Sequence, residues 1–218
     1  MTETNKLLLE RVNNALPQTQ CRKCGFNGCE PYALALTKGA AINKCPPGGD
    51  TTIKILSGIL GKLPIPLDPD VEKMKPIEVA YIREADCIGC TKCINACPID
   101  AIIGGAKLMH TIIKGECSGC DLCVDSCPVG CIEMQAEKIY HPLGCLSDSE
   151  FHEKQKQAMR WRKRYDNQNE RLNILKQSAM KKTQKFDNDN FSREEARKEI
   201  LAAVARMRTK RNMLKNFT

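Results

Sequence analysis

No stretch of this sequence approaches the run of about 18 apolar residues that crosses a bilayer. The N-terminus, Met1-Thr-Glu-Thr-Asn-Lys-Leu-Leu-Leu-Glu-Arg11, lacks a basic start followed by a long apolar segment, which excludes a secretory signal. Gly48-Gly49 and Gly104-Gly105 fall short of a Gly-x-Gly-x-x-Gly fingerprint, so there is no flavin, nicotinamide or nucleotide site to be read. Cysteine is missing from the last third, although the 218 residues contain 14 of them, all between Cys21 and Cys145. An intracellular chain with this density of thiols points to metal or redox chemistry rather than a disulfide framework. The expectation is a cytoplasmic protein, either soluble or peripheral on the cytoplasmic face of the inner membrane.

Charge divides the chain at the same place. Residues 1–145 carry 15 Lys+Arg against 16 Asp+Glu, a balance of -1, and residues 146–218 carry 19 against 10, a balance of +9. The basic character therefore belongs to a separate tail.

Residues 5–16, with Leu7, Leu8, Val12 and Leu16 at helical spacing, predict an amphipathic helix stopped by Pro17. A second helix is expected over 51–60, followed by a proline-rich linker over 62–76. From Ile77 the pattern changes to short strands and cysteine loops, and the chain repeats itself at an offset of 30 residues. Ile82 matches Ile112, Asp86 matches Glu116, and the cysteine runs align throughout. Beyond Cys145, basic helices are expected over 150–185 and 193–215, the second behind the capping-box pattern Ser192-Arg-Glu-Glu195.

Each repeat reads Cys-x2-Cys-x2-Cys-x3-Cys-Pro: Cys87, Cys90, Cys93, Cys97 and Pro98, then Cys117, Cys120, Cys123, Cys127 and Pro128. That spacing wraps three cysteines around one 4Fe-4S cluster and sends the fourth to the other. Cys87, Cys90, Cys93 and Cys127 are thus expected to bind one cluster, and Cys97, Cys117, Cys120 and Cys123 the second. Gly89, Gly119, Ala96 and Ser126 let the loops curl so that N–H groups reach cluster sulfurs. Zinc sites usually pair two Cys-x2-Cys knuckles and have no reason to carry this quartet twice.

The earlier group, Cys21-x2-Cys24-x4-Cys29-x15-Cys45, supplies four more thiolates in a glycine-rich setting. Spacing alone leaves both a cluster and zinc open there. Cys131 stands where the first repeat has Ala101 and is read as a small buried residue, and Cys145 as an inert thiol. His110 and His141 are read as structural or exposed, since thiolates suffice for every cluster.

Leu16-Pro-Gln-Thr-Gln-Cys21-x2-Cys24-Gly25-x3-Cys29-Glu-Pro-Tyr32, then Ile42-Asn-Lys-Cys45-Pro-Pro-Gly-Gly49, resembles the B subunit of Rnf/Rsx-type electron transport complexes. The repeat region, including Ala106-Lys-Leu-Met-His110, extends the resemblance over roughly residues 5–135. It implies a third 4Fe-4S cluster on Cys21, Cys24, Cys29 and Cys45. It also implies electron transfer within a membrane complex that couples ferredoxin and NAD redox chemistry to ion movement, or reduction of a redox-sensing regulator. Members of that family begin with a hydrophobic anchor, whereas this sequence starts at the cluster segment, so an anchorless variant is expected.

The reading is an α+β protein of four parts: a small N-terminal helical iron-sulfur domain over 1–61, the linker over 62–76, a duplicated two-cluster bacterial ferredoxin-like domain over 77–145, and a basic helical tail over 146–218. Its function is single-electron relay through three 4Fe-4S clusters, as an electron-transfer subunit rather than a catalyst on its own. Redox proteins, including other Rnf/Rsx-type subunits, are the expected partners, with an acidic partner surface or anionic lipid for the tail. The alternative is a nucleic-acid-associated iron-sulfur protein gripping phosphates through Arg160-Trp-Arg-Lys-Arg164 and Tyr165.

Overall fold

Leu8 and Val12 line one face of α1 (Glu3–Asn14), and the tightened turn that follows it carries Leu16 into the same core before Pro17. The computed structural model describes residues 3–71, 78–136, 148–188 and 193–215. Its side chains are described over 3–71, 78–136, 152–181 and 195–207. Ile77, His141 and Cys145 lie outside the described residues, as do 72–76 of the expected linker.

A helix that was not expected, α2 (Cys29–Thr37), follows the first cysteines. Its start signals are present: Glu30 favours the positive helix end, and Pro31 sits where a missing N–H costs nothing. Tyr32, Ala33 and Leu36 recur at helical spacing and are buried against α1. The expected third helix is α3 (Gly49–Leu60), which buries Ile53 and Leu56 and ends on Gly61 in the left-handed cap conformation. Val12, Leu16, Tyr32, Leu36, Ile42, Ile53 and Leu56 form one core around Cys29 and Cys45. Each such side chain contributes roughly 1.5–3 kcal/mol by leaving water.

Among its described residues the duplicated segment holds four strands, two one-turn α-helices and two 3-10 turns, Glu84–Asp86 and Lys114–Glu116. β1 (Glu78–Ile82) pairs antiparallel with β4 (Ile132–Ala136), placing Ile82 opposite Ile132, and β2 (Ile102–Ile103) pairs antiparallel with β3 (Thr111–Ile112). The first strand therefore closes on the last. Between them α4 (Lys92–Ala96) and α5 (Leu122–Ser126) carry the third cysteine of each motif, Cys93 and Cys123, and lie in contact. Ala80, Ile82, Ile99, Ala101, Ile102 and Ile132 make a second core among the cysteines.

Two basic helices follow, α6 (Asp148–Asn188) and α7 (Arg193–Lys215). Residues 1–169 make one compact unit and 170–218 another, so the division falls inside α6. The second unit is helical over its described residues, with Leu175, Met180, Leu201 and Met207 all exposed. No described helix is long and apolar enough to cross a membrane.

Candidate metal centres

Cys29 opens α2, and a buried chain of side-chain amides fixes it there. Gln18 donates through Nε2 to the carbonyl and Oδ1 of Asn13, Gln20 donates to Gln18 Oε1 at 2.9 Å, and Gln20 Oε1 accepts the Cys29 N–H at 2.9 Å. Gln18 and Gln20 both adopt positive φ, which aims successive amides inward. On the far side Tyr32 donates its hydroxyl to Ala41 O at 2.8 Å and accepts the Lys44 N–H at 3.2 Å, anchoring the approach to Cys45. Cys21, Cys24, Cys29 and Cys45 are thereby gathered closely enough for their thiolates to repel one another.

The repeat builds two further sites. Cys97, Cys117, Cys120 and Cys123 line one apolar pocket, and Cys87, Cys90, Cys93 and Cys127 line the other, each taking its fourth cysteine from the opposite repeat. Backbone N–H groups point at the sulfurs in matched pairs. Ala80 donates to Cys117 Sγ at 3.5 Å and Ala101 to Cys97 Sγ at 3.2 Å. At the other site His110 donates to Cys87 Sγ at 3.4 Å and Cys131 to Cys127 Sγ at 3.4 Å. Gly89, at φ 66°, lets its loop pass against the backbone: a Cβ there would lie 2.6 Å from Leu108 N. Gly119 makes the equivalent approach to Glu78 O.

Burial governs the thiols. It pushes Cys29 and Cys120 up to about 12 and Cys93 up to about 11, and raises Cys24, Cys45, Cys97 and Cys123 as well. Neighbouring thiolates raise these groups further, because like charges crowd together. Cys127 moves the other way: burial raises it, but hydrogen bonds from Cys131, Val129 and Gly130 outweigh that and bring it down. A positive centre shared among the sulfurs removes both penalties. Four motif thiols per apolar pocket, with main-chain donors aimed at sulfur, is the donor set that a 4Fe-4S cluster takes. Among the described residues no three His, Cys, Asp or Glu groups are drawn together around a single metal ion.

The N-terminal site adjoins the pocket of Cys97, Cys117, Cys120 and Cys123. Ser118, on that pocket's wall, donates to Thr19 O at 2.9 Å, and Asp121 pairs with Lys23 at 2.7 Å. The first half of α6 covers the same region. Gln168 donates to Cys97 O at 2.6 Å and to Asp100 Oδ1 at 2.8 Å, while Arg164 donates to the carbonyls of Ile99 and Asp100, both at 2.8 Å. Trp161 and Tyr165 pack on the ferredoxin core, and Tyr165 also donates to Asn27 O at 3.2 Å. Arg160 pairs with Glu116, and Arg162 with Glu10. Trp161 and these arginines, which suggested a phosphate grip, engage groups of their own chain.

Three features of these sites are not visible, or barely visible, in the sequence. The glutamine relay has one trace there, two glutamines just before Cys21. His110, read as structural or exposed, is 1% exposed and holds Nδ1 3.3 Å from Cys93 Sγ and 3.6 Å from Cys87 Sγ. Docking of α6 has no trace, since it is made largely to backbone carbonyls. Cys131, read as a small buried residue, is buried and lines the pocket of Cys87, Cys90, Cys93 and Cys127.

Paired four-cysteine pockets on a strand-closed repeat define an iron-sulfur protein of the two-cluster ferredoxin class. Residues 80–134 match the family model described as "4Fe-4S dicluster domain", and residues 16–47 that described as "Putative Fe-S cluster". Curated proteins named as the B subunit of the ion-translocating oxidoreductase complex are similar to this chain. That of Pseudomonas paraeruginosa is 66% identical over 126 residues, 58% of this chain and 66% of its own length. That of Ectopseudomonas mendocina is 63% identical over 127 residues, 58% of this chain and 66% of its own length. That of Shewanella amazonensis is 58% identical over 127 residues, 58% of this chain and 67% of its own length. The chain belongs to the family of ion-translocating oxidoreductase B subunits, the Rnf/Rsx B family. It spans about two thirds of the length of these relatives. No solved structure matches it.

Proposed function

We propose that this chain relays single electrons through three 4Fe-4S clusters as the B-type subunit of an ion-translocating electron transport complex, with the complex's other subunits as its redox partners. Cys21, Cys24, Cys29 and Cys45 hold the first cluster, Cys97, Cys117, Cys120 and Cys123 the second, and Cys87, Cys90, Cys93 and Cys127 the third. The observation that carries this reading is the exchange of Cys97 and Cys127 between two matched pockets. Each cluster supplies one-electron chemistry without a proton or a bond to substrate. The chain's own part is to exclude water, aim main-chain N–H groups at sulfur and fix the order of the sites. The contacts Ser118–Thr19 and Lys23–Asp121, between the N-terminal cysteine segment and the wall of the pocket of Cys97, Cys117, Cys120 and Cys123, support a relay in that order.

The domains follow as an iron-sulfur module over 1–61, a linker over 62–76, the ferredoxin module over 77–145 and the basic helical tail over 146–218. The tail's far half offers positive charge to an acidic partner surface or to the anionic lipid beside a membrane complex. No observation favours the nucleic-acid alternative.

Anaerobic reconstitution with iron counting and spectroscopy tests the assignment. Three clusters require about twelve irons per chain, falling to about eight when Cys29 and Cys45 are both replaced by alanine. Four or fewer irons in the intact chain, or stoichiometric zinc, defeats the reading.

A further inference from the structure

The two ferredoxin sites are matched residue for residue under the 30-residue offset, and the places where the match fails all bear on one property. Among the residues that give main-chain N–H groups to sulfur, two pairs related by that offset differ in side chain: Ala80 and Ala101 at one site correspond to His110 and Cys131 at the other. Side chains without a donor therefore accompany Cys97 and Cys117, where an imidazole and a thiol accompany Cys87, Cys93 and Cys127.

Both extra side chains are set to donate. His110 turns Nδ1 toward Cys93 Sγ and Cys87 Sγ while its Nε2 is buried with no hydrogen-bond partner. A thiolate only accepts, so the tautomer that satisfies this contact carries its proton on Nδ1. Room for the ring comes from Gly104, where a Cβ would collide with His110 Cδ2. Cys131 Sγ is 3.4 Å from Cys127 Sγ, and with Cys127 ligating as a thiolate the remaining S–H belongs to Cys131.

Solvent leans the same way. Ile88 and Val129, on the wall of this site, are 58% and 45% exposed, whereas their counterparts Ser118 and Ile99 are 5% and 1% exposed under the N-terminal module and α6. Asp121 stands on the covered site's wall where the exposed site has Thr91, and its carboxylate is paired with Lys23 at 2.7 Å, so the pair adds no net charge. Ser118 touches the Cys120 thiol, but the hydrogen bond its hydroxyl donates at 2.9 Å goes to Thr19 O. Hydrogen bonds to sulfur, net charge and exposure are the levers that set cluster potential, and added donors and exposure favour the more negative, reduced state.

We propose that His110 and Cys131 hold the site of Cys87, Cys90, Cys93 and Cys127 at a higher reduction potential than its two-fold mate, so that an electron shared between the two rests at the site nearer the surface. The transfer moves one electron from one site to the other, with no bond made or broken and no proton taken up. This rests on the cluster assignment proposed above.

Anaerobic potentiometry of the loaded full-length protein, with dithionite as reductant and electron paramagnetic resonance as readout, tests it on Cys131→Ala, His110→Ala, their combination and His110→Asn. Cys131→Ala copies the buried Ala101 and so keeps the fold. The higher of the two ferredoxin couples is expected to fall in each alanine variant. In the double variant its oxidised-to-reduced ratio at fixed potential rises about tenfold, a shift of about 59 mV for a one-electron couple. The lower couple stays in place, and His110→Asn, which keeps an N–H near the Nδ1 position, retains most of the wild-type value. Unmoved couples in protein that holds both clusters, or an equal fall in both, overturn this inference alone. Intact protein with four or fewer irons overturns the proposed function instead.

Discussion

Gln168 donates to the carbonyl oxygen of Cys97 across 2.6 Å, joining a helix of the basic tail to the cysteine that crosses from the first repeat to the second pocket. Beside it, Arg164 takes the carbonyls of Ile99 and Asp100, and Asp100 stands at φ 52° where the second repeat has Gly130 at φ 62°. The helix thus satisfies three carbonyls of a turn that a non-glycine residue adopts at a cost.

Replacing Gln168 or Arg164 with alanine is expected to destabilise the first unit by about 1–3 kcal/mol each, since buried carbonyls lose their donors. Iron should leave the site of Cys97, Cys117, Cys120 and Cys123 faster than the other ferredoxin site. Urea unfolding of the loaded protein and time-resolved iron release read the two effects. Unchanged midpoints and release rates in both variants would show that the contacts carry no weight.

Shortening the chain separates the two halves of α6. A chain ending after Asn169 keeps Trp161, Arg164, Tyr165 and Gln168, and should hold iron as the full chain does. One ending after Cys145 loses all four and should hold it less well, read by iron content after gel filtration. Equal iron in both would remove the role given to the covering helix.

Gly89→Ala should abolish stable loading of the site of Cys87, Cys90, Cys93 and Cys127, because the new Cβ meets the Leu108 backbone at 2.6 Å and forces the loop open. Gly115→Ala is the control: nothing lies within 4 Å of a Cβ there, and stability should move by no more than about 0.5 kcal/mol. Iron counting and thermal unfolding of the pair decide it.

Gln20→Ala removes the link between Gln18 and the Cys29 N–H, leaving buried polar groups unpaired at a cost of about 1–3 kcal/mol. The effect should appear as a lower thermal midpoint for the N-terminal module and weaker loading at Cys21, Cys24, Cys29 and Cys45, with the ferredoxin sites unaffected. Equal iron loss at all three sites would contradict so local a role.

Loading should release protons. In the cluster-free fold Cys93 stays protonated to about pH 11, and Cys29 and Cys120 to about pH 12, because their folded values are raised from the ordinary 9.0. A thiol must lose its proton to ligate iron, so rising pH favours assembly across that window and acid opposes it. A pH-stat during reconstitution should require added base, and no base demand would refute the sign.

How much of this was legible follows from what each contact is made of. The duplicated pockets were readable because cysteine spacing is itself the geometry, and α1, α3 and the two tail helices because their periodicity or capping residues lie in the sequence. α2 is hard to read between the cysteines, although Glu30 and Pro31 mark its start. The docking of α6 left no pattern: its stretch is polar, and the groups it meets at Cys97, Ile99 and Asp100 are carbonyls that every residue has. Thiolates suffice as ligands for every cluster, a count that leaves His110 without a role because it says nothing about donors to sulfur.

β1 closes on β4, and Cys97 and Cys127 trade places between the pockets. Neither repeat is therefore a module in its own right: a lone 30-residue half has three cysteines for a pocket it cannot finish and a fourth with nowhere to go. Such a half becomes whole only by pairing with a second copy of itself, and joining the two copies in one chain is what frees them to differ.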